Sequence, residues 1–222
     1  MIRAVIFDVD GTLVDTNDLH AAAWAEALHR FGHDIPQDQV RHEIGKGGDQ
    51  LMPALLPPEV VERQGKEIEA LRKDLYSGEY LRKARPFPEV RALFERVRAA
   101  EQRIALASSG KPDELEHYKD IAGIAGLVDD ATTSDDAERS KPSPDIFGAA
   151  LERIAPIGAE QAMVVGDSPY DAQAATKAGL RAIGLLCGGF AAEELRDAGF
   201  IALYRDPADL LAHYDRSPLA ER

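Results

Sequence analysis

Near its start the chain carries four apolar residues, Ala4-Val5-Ile6-Phe7, run directly into Asp8-Val9-Asp10-Gly11-Thr12-Leu13. The apolar run, rich in β-branched and aromatic residues, predicts a buried strand, and Gly11 permits a sharp turn behind it. Residues i and i+2 of a strand share a face. At the strand's end, however, Asp8 and Asp10 can converge on one point, where two carboxylates repel unless a cation or a proton lies between them. An Asp-Gly turn needs no such chemistry. The spelling by itself therefore leaves a plain turn and a cation site both open.

Composition narrows the partners. The 26 Lys and Arg stand against 39 Asp and Glu, a net charge of −13, so a nucleic-acid-binding surface is not expected. With 45% hydrophobic and 29% charged residues the 222-residue chain reads as globular with a substantial core. Its single cysteine, Cys187, forms no intrachain disulfide and fits a reducing compartment. The first strand follows Met1 too closely for a signal peptide, and no run approaches ~18 apolar residues. A cytoplasmic protein that does not enter the membrane is the expectation.

From Leu19 to Phe31 the apolar residues take the three-four spacing of a helix closed by Gly32. A second helix is predicted over 37–44, ending at Gly45, then a short apolar piece over 51–56. A long polar helix is predicted over 59–81, burying Val60, Ile68, Leu71 and Leu75. Trp24 is expected in a core. No strand pattern appears between 16 and 83, which predicts an inserted helical domain over 16–83 and a core made of 1–15 and 84–222. After the insertion, strands over 103–107, 127–131, 162–165, 182–186 and, at an edge, 200–204 alternate with helices over 145–154 and 170–178. That alternation predicts an α/β fold: a Rossmann-like parallel sheet with helices on both faces, its ligands bound beyond the carboxyl ends of the strands. Residues 217–222 read as frayed.

Three further stretches stand where such a sheet would present them. Ser108-Ser109-Gly110 follows the strand over 103–107, and its hydroxyl and backbone N–H groups could receive a phosphate. Ser140-Lys141-Pro142-Ser143-Pro144 holds a lysine in a constrained loop, with Ser143 as the expected helix cap. Gly166-Asp167-Ser168-Pro169-Tyr170-Asp171 ends a strand and opens a helix with Ser168 as cap.

Asp-x-Asp-Gly-Thr, Ser108, Lys141 and Gly-Asp-Ser-x-x-Asp, in this order, resemble the four motifs of the haloacid dehalogenase-like (HAD) hydrolase superfamily. The helical insertion resembles the C1 cap of its phosphoglycolate phosphatase and β-phosphoglucomutase-like branch. The resemblance implies Asp8 as nucleophile and Asp10 as general acid/base. It implies Mg²⁺ held by Asp8, Asp167 and the backbone carbonyl of Asp10, with Asp171 supporting the site. Ser108, Ser109 and Lys141 would bind the phosphate of a small phosphorylated metabolite, of the phosphoglycolate or sugar phosphate type. The cap would choose the substrate, with His20, Lys46 and Gly47 as the contacts, Lys46 meeting its far end. A monomer or weak homodimer is expected.

A mutase shares the spacing of His20 and Trp24, but Gly166 stands where that branch has an acid, and no Arg lies between Gly45 and Leu51. A phosphoacceptor signalling domain is the alternative from another class; the insertion and Asp10 argue against it.

Overall fold

The computed structural model describes residues 1–221. Strand β1 (Ala4–Phe7) leads through the Asp8–Leu13 turn to a two-residue strand β2 (Val14–Asp15). Four helices follow: α1 (Asn17–Arg30), α2 (Gln37–His42), α3 (Gly48–Leu55) and α4 (Pro58–Leu75). The chain returns through β3 (Arg85–Pro86), which pairs antiparallel with β2, Val14 opposite Pro86 and Asp15 opposite Arg85. The rest alternates: α5 (Val90–Ala99), β4 (Arg103–Ala107), α6 (Pro112–Ile121), β5 (Asp130–Thr132), α7 (Asp145–Arg153), β6 (Ala162–Gly166), α8 (Pro169–Lys177), β7 (Arg181–Leu185), α9 (Ala192–Ala198), β8 (Ala202–Tyr204) and α10 (Pro207–Ala212).

The main sheet runs β5-β4-β1-β6-β7-β8, every pair parallel. Strand β1 pairs with β4 and β6 along its edges and is covered by helices on both faces, which explains its unbroken apolar spelling. Val5 and Phe7 face Leu93, Phe94 and Leu106, while Ala4 and Ile6 face Ala105, Phe147 and Val164. The register sets the site. Phe7 pairs with Leu106 on one side and Val165 on the other. Asp8, Ser108 and Asp167 therefore leave three adjacent strands at nearly the same height.

The inserted helices bury a core of their own, with Trp24, Leu28, Val40, Leu51 and Ile68 at its centre. This is an all-helical cap resting on the α/β core. It touches the core through Tyr170, whose hydroxyl donates to the His42 carbonyl (2.8 Å), and through Ser140 N–H, which donates to Asp49 Oδ2 (3.1 Å). Among the described residues no helix is long and apolar enough to cross a membrane.

Several boundaries differ from the sequence reading. The long polar helix stops at Leu75 and continues as a π turn over Tyr76–Tyr80 and a 3₁₀ turn over Leu81–Lys83. Burial of Tyr76 explains the change of pitch: its hydroxyl meets that of Tyr118 on α6 at 2.5 Å. Strand β5 covers Asp130–Thr132 rather than 127–131, because Leu127 N–H bonds back to Ile124 O in a turn and sheet pairing starts only at Asp130. Ser143 does not cap α7; Pro144 occupies that position and the Ser143 hydroxyl instead donates to Asp145 Oδ1 at 2.5 Å. Residues 217–221 are not frayed. Leu219 is fully buried and its carbonyl accepts from Gln102 Nε2 at 2.7 Å. Helices α6, α9 and α10 carried no pattern strong enough to be read.

Candidate active site

The turn after β1 is closed by its own backbone: Gly11 N–H donates to Val14 O and Leu13 N–H to Val9 O, both at 2.8 Å. Gly11 sits at φ +77°, and a Cβ there would fall 2.1 Å from Asn17 Nδ2 and 2.4 Å from Asp167 Oδ2. Only glycine lets the turn close over the neighbouring carboxylate. The Thr12 hydroxyl then reaches both Asp8 Oδ2 (3.0 Å) and Asp167 Oδ1 (2.8 Å), tying the ends of β1 and β6 together. Asn17 Nδ2, from the first turn of α1, donates to Asp167 Oδ2 at 2.8 Å.

Lys141 is 1% exposed, and its ammonium is shared by three groups. It donates to Asp8 Oδ1 and to the Ala107 carbonyl (3.2 Å), and lies 2.8 Å from Asp171 Oδ1. Burial disfavours its charge, but Asp171 and Asp8 outweigh that and hold it protonated, above its ordinary range. Asp171 is locked from the other side: Ser168 donates to its Oδ2 through both N–H (3.0 Å) and hydroxyl (2.6 Å), as the cap of α8.

Asp8, Asp167 and Asp171 present oxygens within 4.8 Å of one another, all buried. One ammonium does not balance three carboxylates. Burial, together with the neighbouring carboxylates, keeps the Asp8 carboxyl well above its usual range and pushes Asp167 up to about 7. A buried, all-oxygen cluster with excess negative charge fits a hard divalent cation such as Mg²⁺, and the cluster can coordinate one.

This charge excess has a measurable consequence. A carboxyl whose folded pKa lies above its unfolded value stabilises the fold below the unfolded value, and that contribution is lost as pH rises through the folded one. In EDTA, thermal stability is therefore expected to fall between about pH 4 and pH 7, the interval from the ordinary carboxyl value to that of Asp167 in the fold, and added Mg²⁺ should remove the fall. A melting temperature that is flat across this window in EDTA would contradict the excess charge.

Asp10 turns away from the cluster. Its Oδ1 accepts from the Thr16 hydroxyl (2.7 Å) and lies 2.9 Å from His20 Nε2. Burial would raise this carboxyl, but His20 and Thr16 together hold it below its usual range. The His20 ring is stacked on Tyr76 at 3.9 Å. The sequence reading offered His20 as a cap contact to the substrate; in the structure its ring lies against Asp10 on the floor of the cleft.

Ser108 is buried and its hydroxyl accepts from Gly110 N–H (3.0 Å), while Ser109 lines the cleft above. That cleft, about 250 Å³ between cap and core, holds Asp8, Asp10 and His20 on its floor and Lys46 and Gly47 on its cap side. Lys46 pairs with Glu43 and lies 4.5 Å from the centre of the Tyr170 ring. A Cβ on Gly47 would fall 2.0 Å from Ser140 Oγ, so the cap loop needs glycine to seat on the core. Trp24 is buried in the cap core as expected. The sequence reading missed Thr12, Thr16 and Asn17 as site groups, and also Arg72 of α4 and Glu114 of α6, which line the cleft. Thr12 lies within the motif itself; the others carry no local signal.

A parallel sheet with an aspartate cluster at its carboxyl edge and a helical cap above defines a capped α/β protein with an acidic centre able to hold a cation. The chain belongs to the haloacid dehalogenase-like hydrolases, whose profile matches residues 2–179. It is 30% identical over 216 residues to a "Phosphorylated carbohydrates phosphatase" of Thermotoga maritima, covering 95% of this chain and 97% of that one. It is 29% identical over 198 residues to a "Phosphoglycolate phosphatase" of Vibrio cholerae, covering 84% and 85%. The crystal structure of a hydrolase from Pseudomonas syringae superposes with a TM-score of 0.84 at 29% identity, covering 96% of this chain and 98% of that chain.

Proposed function

We propose that the protein is a Mg²⁺-dependent phosphatase that hydrolyses a small phosphorylated metabolite through a phosphoaspartyl intermediate on Asp8. The observation that carries this reading is the placement of Asp8. Its carboxylate ends the central strand, facing the cleft, with Lys141 on one oxygen, Thr12 on the other and Asp10 alongside. The names of the Thermotoga and Vibrio relatives support a substrate of the sugar phosphate or phosphoglycolate type.

In the first half-reaction a carboxylate oxygen of Asp8 attacks phosphorus, the ester bond breaks, and Asp10 gives a proton to the departing alkoxide. A phosphate anion beside Asp10 raises its carboxyl toward the protonated form this step requires. In the second, Asp10 takes a proton from water, which attacks the phosphoaspartate and regenerates Asp8. In the substrate-free site His20 and Thr16 keep it ionised, with a free carboxylate to accept that proton. Lys141, Ser108 and Ser109 would hold the phosphoryl oxygens, where catalysis rests on position and charge. Mg²⁺, bound by Asp8, Asp167 and the Asp10 carbonyl, would screen the approach of two anions, while Asp171 orients Lys141. Residues 16–83 act as the lid, with Lys46 and Gly47 at its rim.

The test is release of inorganic phosphate from a panel of sugar phosphates, polyol phosphates and phosphoglycolate. Turnover is expected with Mg²⁺, its loss in EDTA and its return on adding Mg²⁺. Undiminished turnover in EDTA, or no phosphate released from any ester, would overturn the reading.

A further inference from the structure

Beyond the groups that handle phosphate, the cleft contains two charged side chains whose hydrogen-bonding capacity the protein leaves unused. Arg72 comes down from cap helix α4, its guanidinium 5.2 Å from the centre of the Trp24 ring. Glu114 comes up from core helix α6 and is 5% exposed. They face each other across the cleft, Arg72 Nη1 3.9 Å from Glu114 Oε1, an ion pair without a hydrogen bond. Arg72 Nε and Nη1 and Glu114 Oε2 are buried with no partner in the protein. Three other charges of the cleft are engaged within the protein: Lys46 with Glu43, Lys111 with Asp135, and Asp49 with Ser140.

The free oxygen of Glu114 stands beside the reacting end. An atom at the position of a Cβ on Gly110 would be 3.0 Å from Glu114 Oε2, 3.1 Å from Ser108 Oγ and 3.8 Å from Asp10 Oδ2. The part of a substrate next to its ester oxygen would therefore meet Glu114, with the Arg72 guanidinium 3.9 Å from the same carboxylate. Two donors and one carboxylate acceptor, side by side, match a particular chemistry. A hydroxyl can donate to Glu114 while a neighbouring hydroxyl accepts from Arg72. A carboxylate or second phosphate would satisfy Arg72 but brings no proton for Glu114, and sets like charges against each other in a buried site. A site with buried polar groups discriminates strongly against a ligand that leaves one of them unpaired.

We propose that Glu114 and Arg72 form a hydroxyl-reading pair. It selects a polyhydroxylated leaving group, a sugar or polyol phosphate, and turns away esters that carry an anion in the same place, phosphoglycolate among them. The proposal takes its substrate placement from the phosphatase reading and narrows it to one class.

Glycerol phosphate and phosphoglycolate, close in size, are the probes: one offers hydroxyls and the other a carboxylate. With Mg²⁺, kcat/KM of the wild type is expected to favour glycerol phosphate by at least ~tenfold, about the effect of one such hydrogen bond. Glu114→Gln keeps the shape and removes the charge; it should shrink that ratio by at least ~tenfold, chiefly by raising kcat/KM for phosphoglycolate. Glu114→Ala, which removes the carboxylate by truncation, should shift the ratio the same way. The same preference is to be read without turnover, by calorimetric binding of both esters to Asp8→Asn with and without Glu114→Gln. Binding that favours glycerol phosphate through Glu114, with no hydrolysis of either ester by wild type, would remove the phosphatase reading and leave the pair standing. Preference for phosphoglycolate, binding of neither ester, or a ratio unmoved by both Glu114 variants would overturn the pair.

Discussion

Asp8→Asn is expected to lower phosphate release from every ester by at least ~10⁴-fold, because an amide cannot form the phosphoaspartate and nothing else in the cleft replaces it. The loss should not come from unfolding. Asp8 is a buried carboxyl kept well above its usual range by burial and by Asp171 and Asp167, against the pull of Lys141. Removing its charge relieves the metal-free site, so the melting temperature in EDTA should hold or rise. Phosphate release and a thermal melt on one preparation decide both halves. Turnover within tenfold of wild type would remove Asp8 from the nucleophile's role.

The second large effect is expected at Lys141, the one buried cation against Asp8 and Asp171 among the described residues. Lys141→Met preserves much of the volume and leaves those carboxylates facing each other without it. Breaking a buried ion pair from one side costs about 3–5 kcal/mol, roughly a 10 °C fall in melting temperature for a chain of this length. Mg²⁺ should return part of that stability, since a divalent cation answers the same charge. Turnover should still fall by at least ~100-fold, as for other electrostatic clamps on a reacting group. Lys141→Arg should rescue poorly, because a planar guanidinium does not fit a pocket shaped for a 1% exposed ammonium. An unchanged melting temperature for Lys141→Met in EDTA would show that the lysine does not hold the cluster together.

The amino-acid order alone carries the α/β core and its motifs. Ala4–Phe7, Arg103–Ala107 and Ala162–Gly166 spell their own strands, because a strand covered on both faces must be apolar along its whole length. Asp8, Ser108 and Asp167 each come directly after such a strand, so their place at its end is a local property. Gly11 and the Ser168 cap are local for the same reason: they answer a turn and a helix start within a few residues. What happens between distant segments has no such signature. Sheet register brings the three strand ends level, and it decides where β5 begins. The partner of Asp10 was invisible until α1 folded back and placed His20 and Thr16 on one oxygen. Leu219 looked like a loose end because nothing near it in the chain shows the Gln102 amide that holds it. Arg72 and Glu114 carry nothing in the sequence that sets them apart from other charged residues. They become a site only where cap and core leave a gap too narrow to hydrate both freely and too wide for them to bond each other.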